Sequence, residues 1–564
     1  MSRRISPIFY ILILLLTFSC DSITVEKLHG NGAVVSSSPI ASQIGLGILE
    51  QGGNAADAAV AVAFALAVTH PSAGNIGGGG FALYYDAGIN QIKALDFRET
   101  APAAATRDMY LDQNGNIIEN SSLLGARAAG VPGTVAGLHE LWQTYGSMKW
   151  YDLILPSMML ADSGFAVSEY LSSKIADYKN ALGEYSETSK IFLPEGTPPS
   201  PGTKLIQKDL AATLGIIALD STEGFYAGKT ADLIVNAMDR YDGLITHEDL
   251  AGYTPVWRDP IHFRFDSLDI YSMPPPSSGG LIMGMILGLL EPYEFATYTS
   301  QSPEYIHLFA EACRLSYVER ASHLGDPDFI DNPVQQILDP DFLEARRKLI
   351  DPKKAGISSE LGSGIAEMTR ESESTTHFCV ADKNGNIVSL TYTINTSFGS
   401  KLVVDGAGFL LNNEMDDFVS KPGEPNIYGL VGGEENAIAP GKRMLSSMSP
   451  TIVLKKGKPC LALGSPGGSR IITAVAQAIV NFSRFDLGPD KLVSHPRYHH
   501  QWLPDTLYLE EKGFNINVIQ DLIAKGHIVK ETDPFCELEL IYFNNAGLMT
   551  GAADPRGDGE AVGY

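Results

Sequence analysis

The stretch that most constrains the fold is 375–394. Residues 375–381 and 387–394 are β-branched and aromatic, and Asp382, Lys383, Asn384, Gly385 and Asn386 join them. An Asn-Gly step between two such runs predicts a tight antiparallel hairpin. Period-two alternation places Ser389, Thr391, Thr393 and Asn395 on one face of the second strand and Val388, Leu390, Tyr392 and Ile394 on the other. One side is therefore polar, through exposure or through function. The hairpin also follows a long polar segment, residues 353–374, which lacks apolar periodicity and reads as an exposed loop.

The rest of the chain supplies layers for such a sheet. Before the loop, apolar residues recur at helical spacing over 39–51, 55–68, 126–145, 151–161, 205–219, 281–290 and 305–324, so the middle of the chain reads as mostly helical. The run Gly77-Gly78-Gly79-Gly80 lies between a helix and a strand and is not followed by a Lys-Ser/Thr pair opening a helix. It reads as close backbone packing at a tight turn rather than a phosphate loop. Residues 274–280, three prolines, two serines and two glycines, read as a rigid turn feeding the helix 281–290. After the hairpin, 451–454 and 460–464 are strand-like, and Pro466-Gly467-Gly468 leads into an apolar helix over 469–482. That turn sets the Gly467 and Gly468 amides near a helix N-terminus, where anions are favoured.

Composition excludes some classes. The chain has 564 residues, 44% hydrophobic, and a net charge of −25, the wrong sign for a protein that grips nucleic acid phosphates. Residues 1–20 carry Arg3 and Arg4, an apolar run and then Ser19-Cys20, the order of an export signal. Cys20 stands where a bacterial lipoprotein is cleaved and acylated, so a lipid anchor and plain cleavage both stay open, and the membrane is a partner only through that anchor. Cys313, Cys379, Cys460 and Cys536 are widely spaced and give no disulfide framework or zinc motif. His499-His500 resembles a metal pair, but adjacent strand residues point oppositely, so no metal and no cofactor are expected.

Thr375 stands out by position, as the first residue of a buried-looking strand directly after the exposed loop. A hydroxyl is a weak nucleophile at neutral pH. An N-terminal threonine can use its own α-amine, with a pKa of about 8, as the base. Such a residue is released only by cutting the Ser374–Thr375 bond.

Five segments from here onward, in order, resemble the γ-glutamyltranspeptidase (glutathione hydrolase) family. They are Thr375-Thr376-His377-Phe378, Thr391-Tyr392-Thr393-Ile394-Asn395-Thr396, Asn412-Asn413-Glu414-Met415-Asp416-Asp417-Phe418, Leu445-Ser446-Ser447-Met448-Ser449-Pro450 and Gly464-Ser465-Pro466-Gly467-Gly468-Ser469-Arg470. The resemblance extends to Asp96-Phe97-Arg98-Glu99-Thr100, the 274–280 turn and the end of the chain, 554–564.

It implies an α/β (α+β) fold, the four-layer αββα sandwich of the N-terminal-nucleophile hydrolases, in which one core is shared by two autoprocessed subunits. These would be 21–374 and 375–564, a heterodimer from one precursor after loss of the export signal 1–20. Thr375 would be both self-cleavage and catalytic nucleophile, Thr393 its hydrogen-bonded partner, and the Gly467 and Gly468 amides the oxyanion hole. Arg98, Ser446 and Ser447 would hold the substrate α-carboxylate, and Asn395, Glu414 and Asp417 its α-ammonium. Glu414 stands where many bacterial members carry glutamine, and Tyr428 matches the tyrosine of a lid loop. The implied substrates are small γ-glutamyl compounds such as glutathione, with water or an amine as acceptor, in the periplasm or cell envelope. An acylase of the same superfamily acting on glutaryl side chains is the alternative, and an exported, non-catalytic binding protein a more distant one.

Overall fold

The computed structural model describes residues 29–362 and 375–564. The leader with Cys20 and the Ser374 side of the expected cleavage site lie outside the described residues.

The 375–394 hairpin is the centre of a seven-stranded antiparallel sheet. Taken with those of the second sheet in chain order, the strands are β1 (Gly32–Ser36), β2 (Gly79–Asp86), β3 (Gln91–Phe97), β4 (Val256–Arg258), β5 (Ile261–Phe265), β6 (Leu268–Ser272), β7 (Thr375–Asp382), β8 (Ile387–Thr393), β9 (Thr451–Lys455), β10 (Lys458–Gly464), β11 (Glu539–Phe543), β12 (Met549–Ala553) and β13 (Glu560–Gly563). The first sheet runs β13-β1-β7-β8-β2-β3-β4 and the second, six-stranded, β12-β11-β10-β9-β6-β5. β7 and β8 pair so that Thr375 lies opposite Thr393. The turn between them is fixed by Asp382, which accepts from the Asn384 and Asn386 amides and also from the Ala55 amide at a helix start.

Alternation explains the layering. Phe378, Val380, Val388, Leu390 and Tyr392 face a helical layer that includes α1 (Pro39–Glu50), α2 (Ala55–Thr69), α3 (Thr134–Tyr145), α4 (Trp150–Ser163) and α5 (Lys208–Asp220). The opposite side chains, Ala33, Val35, Phe81, Leu83, Cys379 and Ala381, meet Ile452, Leu461 and Ile541 of the second sheet. Beyond that sheet lie α6 (Gly279–Leu290), α7 (Pro303–His323) and α8 (Ile471–Arg484). The result is helices, sheet, sheet, helices: the αββα sandwich. Every residue of α2 is buried, consistent with its all-round apolar sequence, and Asn54 and Asp57 close a reciprocal capping box at its start.

The polar face of β8 is neither exposed nor wholly functional. It lies between the sheets, where the Ser389 hydroxyl donates to the Leu463 carbonyl and Thr391 Oγ1 sits 2.8 Å from His377 Nδ1. Burial pushes the His377 imidazole down to about 3, which keeps it neutral. The Gly77–Gly80 run is a packing device: a Cβ on Gly78 would lie 2.1 Å from the Thr393 carbonyl, and one on Gly77 2.2 Å from that of Leu410.

Three expectations change. The helix read over 126–145 begins only at Thr134, because Gly130, Pro132 and Gly133 interrupt it after a short turn at Ala126–Ala128. The mostly helical middle contains β4, β5 and β6, an alternating, turn-bounded stretch that completes both sheets. The polar loop is exposed over much of 353–362 but buries Ser358, and its remainder lies outside the described residues. Cys313, Cys379, Cys460 and Cys536 are all buried, and among the described residues no disulfide joins them.

Candidate active site

The N-terminal end of β7 opens onto a cavity of ≈ 20 Å³ whose wall includes Thr375, Thr393, Asn395, Arg98, Glu414, Asp417, Tyr428, Ser446, Ser447 and Gly468. Residues scattered over 371 positions of sequence thus converge on one small chamber. Among the described residues, Gly467, next to Gly468 in the chain, is the one expected site residue that does not line it.

Thr375 is 7% exposed, and its Oγ1 donates to Thr393 Oγ1 at 3.4 Å. Strand pairing sets that distance, since the two threonines are cross-strand partners. Thr393 Oγ1 also accepts the Asn395 amide at 2.8 Å, which helps hold Asn395 at a φ of +73° just beyond the strand. Asn395 in turn donates its side-chain amide to the Asn413 carbonyl. Gly467 and Gly468 both have positive φ, +129° and +54°. A Cβ on the first would meet Cys536 Sγ at 2.4 Å, and one on the second the Tyr428 ring at 2.5 Å. Only glycine satisfies both the backbone conformation and the space.

Arg98, 1% exposed, anchors the charged end. Its Nη1 lies 2.7 Å from Glu414 Oε2, its Nη2 donates to Asp417 Oδ2 at 2.5 Å, and its Nε donates to the Met444 carbonyl. Glu99 contributes a third carboxyl 3.7 Å away. Burial opposes the Arg98 charge, but Glu414, Asp417 and Glu99 outweigh it and hold the guanidinium protonated. Burial likewise pushes Glu414 and Asp417 above the usual carboxylate range against the pull of Arg98, and lifts Glu99 to about 8. Three carboxyls around one buried guanidinium do not all ionise together. The cluster offers both signs of charge within a few ångströms, as a zwitterionic ligand requires.

The serine pair is braced by the proline turn. The Ser446 amide donates to the Pro276 carbonyl, while the Ser278 amide and hydroxyl both donate to the Ser446 carbonyl. The Ser277 hydroxyl donates to the Met448 carbonyl. The turn that sequence presents as rigid thus fixes the position of 446–448.

Tyr428 lines the chamber. Its hydroxyl donates to the Asn395 carbonyl at 2.9 Å and its ring lies against Gly468. The loop that carries it is tied down by two consecutive aspartates: Asp417 Oδ1 accepts from the Asn426 side chain and Asp416 Oδ2 from the Ile427 amide. Burial raises Asp416 to about 6. A larger cavity of ≈ 280 Å³ lies beneath this loop and shares Arg320, Asp417 and Leu430 with the chamber.

Sequence reading missed Arg320, Ser278 and Asp416 as parts of the site. Arg320 sits in the long helix α7 with no motif around it, and only the packing of that helix reveals its direction. The histidine pair is hydrogen-bonded: His499 to Thr473 and Gln501, His500 to Asp505 and the Trp502 amide. Among the described residues, His307, Glu311 and His527 bring ligand atoms within 4.8 Å of one another. The two rings are hydrogen-bonded to each other at 2.8 Å, and Glu311 accepts from Arg314 and the Gly356 amide.

Comparison with known proteins identifies the family of the chain. The family model described as gamma-glutamyltranspeptidase matches residues 41–564. A glutathione hydrolase proenzyme of Escherichia coli (strain K12) is 46% identical over 535 residues, covering 94% of this chain and 92% of the relative. One from Pseudomonas sp. (strain A14) is 43% identical over 548 residues, covering 95% and 94%. Among solved structures, a cephalosporin acylase from Bacillus halodurans superposes with a TM-score of 0.85 at 27% identity, covering 98% of this chain and 99% of that one.

Proposed function

The chain belongs to the gamma-glutamyltranspeptidase family, and on that premise we propose that it is a glutathione hydrolase and γ-glutamyltransferase whose nucleophile is Thr375. The observation that carries the assignment is the hydroxyl of the first residue of β7, set against Thr393 on the wall of a chamber that also holds Arg98, Glu414, Asp417 and the serine pair.

The precursor is cut between Ser374 and Thr375, giving subunits 21–374 and 375–564. Thr375 Oγ1 attacks the preceding carbonyl carbon, the Ser374–Thr375 C–N bond breaks so that an ester on Oγ1 replaces the peptide bond and the Thr375 α-amine is released, and water then hydrolyses that ester to free the Oγ1 hydroxyl and part the two subunits. In turnover that amine takes the hydroxyl proton as Oγ1 attacks the γ-carbonyl carbon of the donor. The Gly467 and Gly468 amides stabilise the oxyanion. The intermediate collapses, the proton passes to the departing amine, and a γ-glutamyl ester remains on Thr375. Water releases glutamate from it, or an amino acid or peptide amine takes the acyl group. Arg98, Ser446 and Ser447 hold the α-carboxylate, Asn395, Glu414 and Asp417 the α-ammonium, and Tyr428 closes the lid.

The acylase likeness supports a second reading, hydrolysis of glutaryl amides. A glutaryl group has no α-amine and would leave Glu414 and Asp417 without a cation from the substrate. Parallel assay of γ-glutamyl and glutaryl anilides decides, and faster turnover of the glutaryl compound would sink the first reading. N-terminal sequencing of the smaller band on a denaturing gel checks the cut site. Export fits residues 1–20, with lipidation of Cys20 checked by labelling with a radioactive fatty acid. Among the described residues no helix is long and apolar enough to cross a membrane.

A further inference from the structure

Two guanidinium groups line the chamber, and their surroundings differ. Arg98 is in contact with Glu414 and Asp417, so its charge is largely met by the protein. Arg320, 6% exposed, reaches in from α7 and makes hydrogen bonds to hydroxyls instead: Nε donates to Ser278 Oγ at 3.0 Å and Nη2 to Ser447 Oγ at 3.3 Å. Among the described residues it makes no salt bridge. A buried cation without a carboxylate partner is costly unless an anion is expected beside it.

One of the hydroxyls it contacts, that of Ser447, belongs to the pair assigned to the substrate carboxylate, and the other, that of Ser278, belongs to the turn that braces this pair. Ser447 Oγ accepts from Arg320, which leaves its own O–H to donate elsewhere. Ser278 Oγ accepts from Arg320 while donating to the Ser446 carbonyl, so one guanidinium orders both sides of the serine pair. Burial draws the Arg320 pKa downward; Tyr317 and then Asp417 counter it, and Arg98 adds a smaller downward effect.

We infer that Arg320 is a specificity-determining positioning residue, which orients the Ser447 hydroxyl and supplies a positive charge, held by hydroxyls rather than by a salt bridge, that selects donors with a free α-carboxylate. Charge-assisted hydrogen bonds are about twice as strong as neutral ones, and this one acts through Ser447 on the ligand. Arg98 alone does not fill the role, because a carboxylate approaching it also approaches Glu414 and Asp417.

The inference rests on the γ-glutamyl reading of the chamber, and the test separates the two. Wild-type turnover of a γ-glutamyl anilide tests the reading; the contrast between two donors in Arg320 variants tests the residue. The donors are that anilide and its counterpart with the α-carboxylate replaced by a carboxamide. In Arg320→Gln, KM for the acid rises about tenfold or more while kcat stays within about threefold, and KM for the carboxamide stays within about twofold. Arg320→Lys recovers most of the preference for the acid. An equal change in KM for both donors, or no change for either, overturns the inference. Should the glutamine variant remain uncut, the lysine variant carries the same comparison: a rise confined to the acid supports the role, and an equal rise on both refutes it. If both variants stay uncut, Arg320 is a folding residue and the inference fails.

Discussion

Replacing Thr393 by valine removes one hydroxyl and keeps the shape of the side chain and the strand propensity of β8. The structure says what is lost. Thr375 Oγ1 loses an acceptor at 3.4 Å, and the Asn395 amide loses one at 2.8 Å. The first contact is long, so its orienting value falls in the lower part of the usual net range of about 0.5–1.5 kcal/mol, equivalent to about two- to tenfold in rate. The second leaves a buried N–H unpaired, a stability cost of about 1–3 kcal/mol, and frees the Asn395 turn beside the pocket. The Val variant should therefore cut itself and form the acyl-enzyme about two- to tenfold more slowly, with a raised KM, while Thr393→Ser stays near wild type. Self-cleavage is followed by the appearance of the small fragment on denaturing gels, and acylation by the pre-steady-state burst from a γ-glutamyl anilide. Wild-type rates in the Val variant, or an equal loss in the Ser variant, would refute the claim that this hydroxyl positions the nucleophile.

Thr375→Ala should remain a single chain and be inactive; activity measured on the purified uncut variant would place the nucleophile elsewhere. Tyr428→Phe removes the donor to the Asn395 carbonyl but keeps the ring over Gly468. It should lower kcat/KM about two- to tenfold and speed limited proteolysis within residues 420–432, and an unchanged digestion rate would mean that this bond does not hold the lid. Acid stability follows from buried neutral histidines: burial lowers His70 to about 4, His377 to about 3 and His527 to about 2, from 6.5. The unfolded chain binds protons that the folded chain refuses, so the stability they confer is complete above pH 6.5 and is lost as pH falls toward those values, at about 1.4 kcal/mol per pH unit for each group. Thermal melts from pH 7 to 4 should show a falling Tm, and His377→Asn should flatten the slope; an unchanged slope would exclude His377 as a contributor.

The parts of the site that were legible in sequence are those built from short contiguous signals. Thr375 and Thr393 follow from one hairpin, because an Asn-Gly turn fixes register and register fixes which hydroxyls face each other. Gly467 and Gly468 follow from a strand, a glycine turn and a helix. Arg98, Glu414, Asp417 and the serine pair needed a family pattern, since no local chemistry says that residues so far apart will meet. Arg320 escaped both routes: its helix is buried on nearly all sides, so burial does not reveal which polar residue is aimed at a cavity. The strands β4 to β6 were overlooked because short alternating runs are faint between long helical patterns, although the burial of β5 at its two ends matches a period of two across five residues.

Strand β1 has β13 on one side and β7 on the other, and the Asn31 amide donates to the Tyr564 carbonyl at 2.9 Å while the Tyr564 amide donates to Gly32. Residues 31–32 and 564 therefore lie side by side, so the described chain is nearly a closed loop with one seam, and the proposed cut opens a second. Which seam is open is a matter of translation order rather than of architecture. A gene rewritten to begin at codon 375, run to 564 and return through a short linker to 29 would encode the same sandwich. Once its initiator methionine is trimmed, its threonine would have a free amine from birth, separating the chemistry of turnover from the chemistry of maturation.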